Sequence, residues 1–182
     1  HGHDLGYIPA ALLAHIIQTI MNNIDKNLDL SLKTIIEESL EYITSHYNNS
    51  KHIKYFNELI SKAIYLSSKN NKAIDDIKQL GEGWVGEEAI AIAIYSVLKA
   101  KSFEETLIIA VNHSGDSDST GSIAGNIAGA WHGYNRIPVK FKDHLELKNT
   151  MKEIAEDLLY SPEDIISDDS AVDEIMKNGF NM

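Results

Sequence analysis

The residues with the most capacity for chemistry form one run, His113-Ser114-Gly115-Asp116-Ser117-Asp118-Ser119-Thr120-Gly121. Asp116 and Asp118 put two carboxylates two residues apart, and Ser117, Ser119 and Thr120 add hydroxyls. Such a dense set of hard oxygen donors is what Mg²⁺ and Ca²⁺ take in preference to imidazole or sulfur. Gly115 is expected to supply a sharp backbone turn just ahead of them. The same residues also suit a plain helix start, because Asp, Ser and Thr cap orphan N–H groups and acids favour the positive end of the helix dipole. One acid and one hydroxyl would be enough for that purpose. The surplus of oxygen donors is the argument for a metal.

Two short motifs share this pattern without accounting for it. Asp116-x-Asp118-x-Thr120-Gly121 has the opening of an EF-hand loop, but its twelfth position is Ile127, where a bidentate Glu is required. Asp-x-Asp-x-Thr also resembles the nucleophile motif of haloacid-dehalogenase-type phosphatases. That motif ends a buried strand, whereas the flanks here are helical in pattern.

Directly after the acids, Gly121, Gly125, Gly129 and Gly133 recur at every fourth residue. On a helix they form one row. Each interior glycine costs roughly 1 kcal/mol against alanine, so the row is expected to be offset by close approach of another backbone.

The elements that must hold this site read as helices throughout. Ile8–Met21 repeats apolar residues with a helical period, with Pro9 expected in its first turn. Ser31 or Asp29 can cap a second helix carrying Ile35, Ile36, Leu40 and Ile43, and a third period runs from Ile53 to Leu66. A short segment, Ala73–Leu80, ends at Gly81, and Glu87–Lys99 is apolar around more than one face, as a buried helix is. Ser102 and Glu105 have the spacing of a capping box for a helix to Val111. Asp118–Tyr134 follows, then Leu145–Leu159, then an acidic stretch to the end. No segment alternates as a strand, so the expected architecture is an all-α multi-helix bundle.

Composition narrows the function. The 182 residues hold 16 Lys+Arg against 27 Asp+Glu, a formal charge of −11, with the basic residues scattered rather than striped. A nucleic-acid grip needs a clustered basic surface, so it is excluded as a principal role. The absence of cysteine removes disulfides, thiolate metal sites and a cysteine nucleophile, and fits a cytoplasmic protein. Ile123–Trp131, interrupted by Asn126, falls short of the ~20 residues of a membrane span, and none is expected.

Three ordered blocks resemble the ADP-ribosylglycohydrolase family. The run from Gly115 through Gly133 is similar to its carboxy-terminal signature. Gly81-Glu82-Gly83-Trp84-Val85-Gly86-Glu87-Glu88-Ala89 resembles its Gly-x-Gly segment entering a buried helix. His1-Gly2-His3-Asp4-Leu5-Gly6-Tyr7 resembles the segment after a Thr-His pair, including its Leu-Gly-Tyr.

The resemblance implies an all-α, orthogonal multi-helix fold. It implies two Mg²⁺ ions (Mn²⁺ in some members) with Asp116, Asp118 and Ser119 among the ligands and Asp118 bridging. It places His1 and Trp84 beside the bound ADP-ribose, with Gly83 keeping the backbone close to it. The implied substrate is an ADP-ribosylated acceptor, and the implied reaction is hydrolysis of the bond to ADP-ribose. A catalytically inactive, ADP-ribose-binding or structural relative of the same fold is the alternative.

The family's other ligands, a Thr-Asp-Asp triplet and a glutamate, precede the Thr-His pair, and no such triplet occurs in these 182 residues. Residues 1–182 are therefore expected to be the carboxy-terminal part of one domain without its amino-terminal helices, with 160–182 a loose tail or peripheral helix. The metal site would be completed by ligands from elsewhere, with a missing amino-terminal half as a possible partner. Alone, the chain is expected to be inactive. His15, His46, His52 and His144 are read as surface or half-buried residues, and His113 as at most a neighbour of the ligands. Glu88 is read as structural support.

Overall fold

The computed structural model describes residues 2–26 and 29–159. These residues form eight α-helices and no strand: α1 (Asp4–Asp25), α2 (Leu32–His46), α3 (Ile53–Ser67), α4 (Ala73–Ile77), α5 (Gly86–Lys99), α6 (Phe103–Val111), α7 (Ser117–His132) and α8 (Lys148–Leu159). The all-α expectation holds. The chain divides after Pro138 into two compact units, the second beginning at Val139. Helices α1–α7 make the first unit; the second contains a 3₁₀ turn, Val139–Phe141, and α8. The expected tail, 160–182, lies outside the described residues.

α5 is the hub of the first unit. Every residue from Ala89 to Val97 is buried, and α5 packs against α1, α2, α3, α6 and α7. A helix apolar on all sides is stable only when enclosed in this way. Within that buried run Tyr95 is fully buried and donates to Asp76, which is itself fully buried and also accepts from Asn71 Nδ2 at 2.9 Å. Burial, then the Asp76 carboxylate, pushes the Tyr95 hydroxyl far above the ordinary phenol range.

α1 presents Ile8, Leu12, Ile16 and Ile20, all fully buried, toward α2, α5 and α7. Over Asp4–Ile24 it is long and apolar enough to cross a membrane, which corrects the expectation drawn from Ile123–Trp131. The buried stripe identifies it as a core helix of this unit.

The helix also begins earlier than its apolar period. His3 is the N-cap, so Pro9 falls in the helix interior rather than the first turn. A residue with an N–H at that place would bond the Leu5 carbonyl. That carbonyl and the Pro9 ring instead pack against Gly86, where an added Cβ would lie 3.2 Å from Leu5 O. The lost bond coincides with the tight seam between α1 and the start of α5.

The remaining boundaries follow their caps. Ser31 accepts from Thr34 N at 3.1 Å and starts α2, which resolves the Ser31-or-Asp29 choice. Ser102 caps α6 by accepting from Glu105 N at 3.1 Å, but the Glu105 carboxylate reaches Lys101 N at 2.7 Å instead of Ser102 N. The capping box is thus shifted outward by one residue. α8 starts at Lys148 rather than Leu145, after Leu147 adopts a φ of +56°.

Candidate functional site

The amino-terminal end of α7 is fixed from two sides. Asp116 is the N-cap, with its side chain accepting from Ser119 N at 3.4 Å. Asp116 N donates to Glu82 O at 2.8 Å, tying the acidic run to the loop before α5. Gly115 is required by this approach and not by a turn: a Cβ there would stand 1.7 Å from Glu82 O, and its φ is not positive.

His113 locks the other side. Its Nδ1 accepts from Gly115 N at 3.1 Å, which leaves the proton on Nε2, 2.9 Å from Thr120 Oγ1. The buried Thr120 hydroxyl then donates to Ala110 O at 2.7 Å. Thr120 thus leaves the set of available oxygen donors, and His113 is a positioning residue for the helix start.

The Gly81–Gly86 loop faces this end of α7. Glu88 folds it: its Oε2 accepts from Glu82 N at 3.0 Å and Gly83 N at 3.1 Å. Gly81 and Gly83 both have positive φ, +123° and +83°. A Cβ on Gly83 would lie 2.9 Å from Thr120 Cγ2 and 3.4 Å from Asp116 O. Gly83 therefore lets the loop press on α7 itself. Trp84 follows with its side chain exposed and its Nε1 donating to Glu82 Oε2 at 3.0 Å. A seam of about 100 Å³ runs between Gly81-Glu82 and His113-Ser114-Gly115.

The structure therefore brings Gly83 against the helix start that carries Asp116, Asp118 and Ser119, with Trp84 next to it in the chain; His1 lies outside the described residues. Asp116 is half-buried and Asp118 exposed. A hydrogen bond with the Asp118 carboxyl, then the Ser119 hydroxyl, holds the Asp116 carboxyl below the ordinary range, with Ser119 N and His113 adding to the effect. Two carboxyls in contact repel when both are ionised, and either a shared proton or a cation relieves this. Two carboxylates and an adjacent hydroxyl, all hard oxygens, fit Mg²⁺ or Mn²⁺.

The sequence readings of Glu88 as structural support and of His113 as a neighbour of the ligands agree with these contacts. What the sequence could not show was their partners: Glu88 shortly follows Gly81 and Gly83, and His113 stands seven residues before Thr120. Neither spacing shows on its own that two loops meet.

The ADP-ribosylglycohydrolase family profile matches residues 1–165. An uncharacterized protein of Archaeoglobus fulgidus is 31% identical over 129 residues, covering 70% of this chain and 39% of that protein. The ADP-ribosylhydrolase ARH3 of Xenopus tropicalis is 24% identical over 164 residues, covering 78% of this chain and 45% of its own length. The ADP-ribosylarginine hydrolase Tri1 of Serratia proteamaculans is 32% identical over 78 residues, 42% of this chain and 21% of that enzyme. The chain thus spans less than half the length of these relatives. No solved structure matches it significantly. With the family profile covering most of its length and an all-α fold around the acidic start of α7, this chain belongs to the ADP-ribosylglycohydrolase family.

Proposed function

We propose that residues 1–182 form part of a Mg²⁺-dependent hydrolase that cleaves ADP-ribose from a modified acceptor, with Asp116, Asp118 and Ser119 as metal ligands. The observation that carries this reading is the clustering of Asp116, Asp118 and Ser119 in the first turn of α7, at a helix start braced by the Gly83 loop. Arginine and serine side chains are both acceptors consistent with it.

Bound there, two Mg²⁺ ions would supply Lewis-acid hold on the ribose hydroxyls and a polarised water, with Mn²⁺ able to substitute. The protein's part is positional. His113 and Thr120 keep the first turn of α7 from rotating, so Asp116 and Asp118 stay on one side. Glu88 holds the loop that carries Trp84, whose exposed indole offers a stacking face to the adenine ring. Water adds to the ribose carbon as the bond to the acceptor breaks. The products are ADP-ribose and the unmodified acceptor. The remaining ligands would come from outside these residues, and turnover belongs to the whole protein.

The test uses the full-length protein. Asp118→Ala should abolish release of ADP-ribose from an ADP-ribosylated peptide while leaving helix content unchanged. Mg²⁺ and ADP-ribose together should raise the melting temperature of the wild type by mass action, and not that of the variant. Retained turnover in the variant would remove Asp118 from the metal site. A wild type without either response would mark a fold kept for structure.

A further inference from the structure

A second group of donors lies at the start of α1, made of different residues from the site above. His3 Nδ1 is 3.3 Å from Asp4 Oδ1, and His52 Nδ1 is 2.8 Å from the same oxygen. One ligand atom from each of the three residues lies within 4.8 Å of the others. In a tetrahedral zinc site with bonds of about 2.0–2.1 Å, neighbouring ligand atoms are about 3.3 Å apart. Two of the three separations, 3.3 and 2.8 Å, are therefore close to those of ligands around one ion. The two imidazoles lie near one another, with centroids 5.0 Å apart.

The local roles of these residues do not account for the grouping. His3 and His52 occupy the N-cap positions of α1 and α3, where Ser, Thr, Asp and Asn are preferred. The His52 side chain does not cap its own helix and turns instead to Asp4, 48 residues away. Asp4 Oδ2 accepts from His52 N at 3.0 Å, and its Oδ1 also takes Leu5 N at 3.0 Å. These bonds orient the carboxylate from behind, as outer-shell hydrogen bonds do for a ligand.

We propose that His3, Asp4 and His52 form a binding site for a first-row transition-metal ion, Zn²⁺ foremost, with solvent in the fourth position. Two imidazoles and one carboxylate are a borderline donor set, suited to Zn²⁺, Co²⁺ or Ni²⁺ and not to Mg²⁺. The meeting of two helix N-termini adds positive potential here. That field opposes any dication, Zn²⁺ included, so the directional bonds from two nitrogens and the Asp4 carboxylate must outweigh it. The protons are already arranged for the change. His3 Nδ1 accepts from Leu5 N at 3.2 Å, so its lone pair faces inward, and Leu5 N keeps Asp4 Oδ1 as a partner when the metal takes that nitrogen. His52 now donates from Nδ1 to the carboxylate. Moving that proton to Nε2 frees the nitrogen with no change in charge. The His3 side chain is 65% exposed, so an ion reaches the site from solvent.

The experiment is a titration of the metal-stripped, tag-free chain with Co²⁺, followed by displacement with Zn²⁺, in excess Mg²⁺ to occupy the oxygen donors of α7. The expected result is one equivalent of Co²⁺ with the intense visible bands of a four-coordinate ion, bleached by one equivalent of Zn²⁺. His52→Ala and His3→Ala should each weaken uptake at least ~10-fold, since even outer-shell losses cost that much. Asp118→Asn should leave the titration unchanged. No saturable uptake by the wild type, or uptake unaffected by either histidine substitution, would overturn the proposal, as would its loss in Asp118→Asn. Helix content is followed in each variant; should His52→Ala fail to fold, the exposed His3→Ala decides the question.

Discussion

The two ends of α7 use glycine for opposite reasons. At the amino-terminal end, Gly115 and Gly83 allow two loops to approach so closely that a methyl group would collide with backbone or with Thr120. Gly121, one turn into the helix, would put its Cβ 2.7 Å from Val111 Cγ1 on α6. Toward the carboxy-terminal end the row loosens. A Cβ on Gly125 would meet Leu107 Cδ2 at 3.5 Å and one on Gly129 would meet Ile137 Cδ1 at 3.9 Å, both ordinary contacts, and Gly133 ends the helix with a φ of +75°. A row that looks uniform in sequence is therefore a steep gradient in space. The packing partners are side chains of α6 and of Ile137, not the second backbone that the spacing leads one to expect. What the gradient teaches is that tightness is concentrated where the acids are.

The largest effect should come from Gly115→Ala. Its Cβ would overlap the Glu82 carbonyl, which is backbone and cannot rotate aside. Either the Asp116 N–H···O Glu82 bond breaks or the loop moves, and overpacking of this severity costs about 3 kcal/mol or more. Urea melts should show that loss, and Mg²⁺ should stabilise the variant less than the wild type. Near-wild-type stability would mean the loop is free to shift and does not brace α7.

Gly121→Ala should be milder, a loss of about 1–3 kcal/mol, because the obstructing atom is a side-chain methyl. Combined with Val111→Ala, much of the loss specific to the clash should disappear. A double-mutant cycle on the four proteins measures this directly. Strictly additive losses would show that Gly121 is needed for something other than room beside α6.

This contrast also marks what was legible in the sequence. The helical period of Ile8, Leu12, Ile16 and Ile20 and the cap at Ser31 are local signals; both elements form, α2 at its cap and α1 from Asp4, ahead of its apolar period. The acidic start of α7 was equally visible, because Asp116, Asp118 and Ser119 are near neighbours in the chain. The bracing was not. Glu88 reaching Gly83 and Glu82 approaching Gly115 depend on tertiary geometry, and a glycine has the same letter whether it fills a 1.7 Å overlap or open space. Pro9 shows the same limit: its place inside α1 makes sense only once Gly86 is seen against the Leu5 carbonyl.

At the loose end, Gly129→Ala should raise stability by up to about 1 kcal/mol. The added methyl meets nothing nearer than 3.9 Å, and alanine restricts the unfolded chain and favours the helix. Gly125→Ala should follow in the same direction with a smaller gain. A loss at Gly129 comparable to that at Gly121 would erase the gradient and return the whole row to a single packing role.

The smallest predicted effect separates two electrostatic influences at the carboxy-terminal end. His132 stands in the last turn of α7, where the helix dipole favours an imidazolium and would raise its pKa. Burial, then the charge of Arg136, pushes it the other way, below the ordinary 6.5. Between that lowered value and 6.5 the folded protein binds fewer protons than the unfolded chain, so stability rises with pH across this window. The contribution is fully present above about 6.5 and is lost as the pH falls through the folded value. His132→Gln removes the titration, so its stability relative to the wild type should improve as the pH is lowered through that range. Comparing the two proteins cancels the similar slope of His15, which burial also lowers. A difference curve of the opposite sign would show that the helix dipole outweighs burial and Arg136, and that this end of α7 is more open to water than its packing against Phe103 implies.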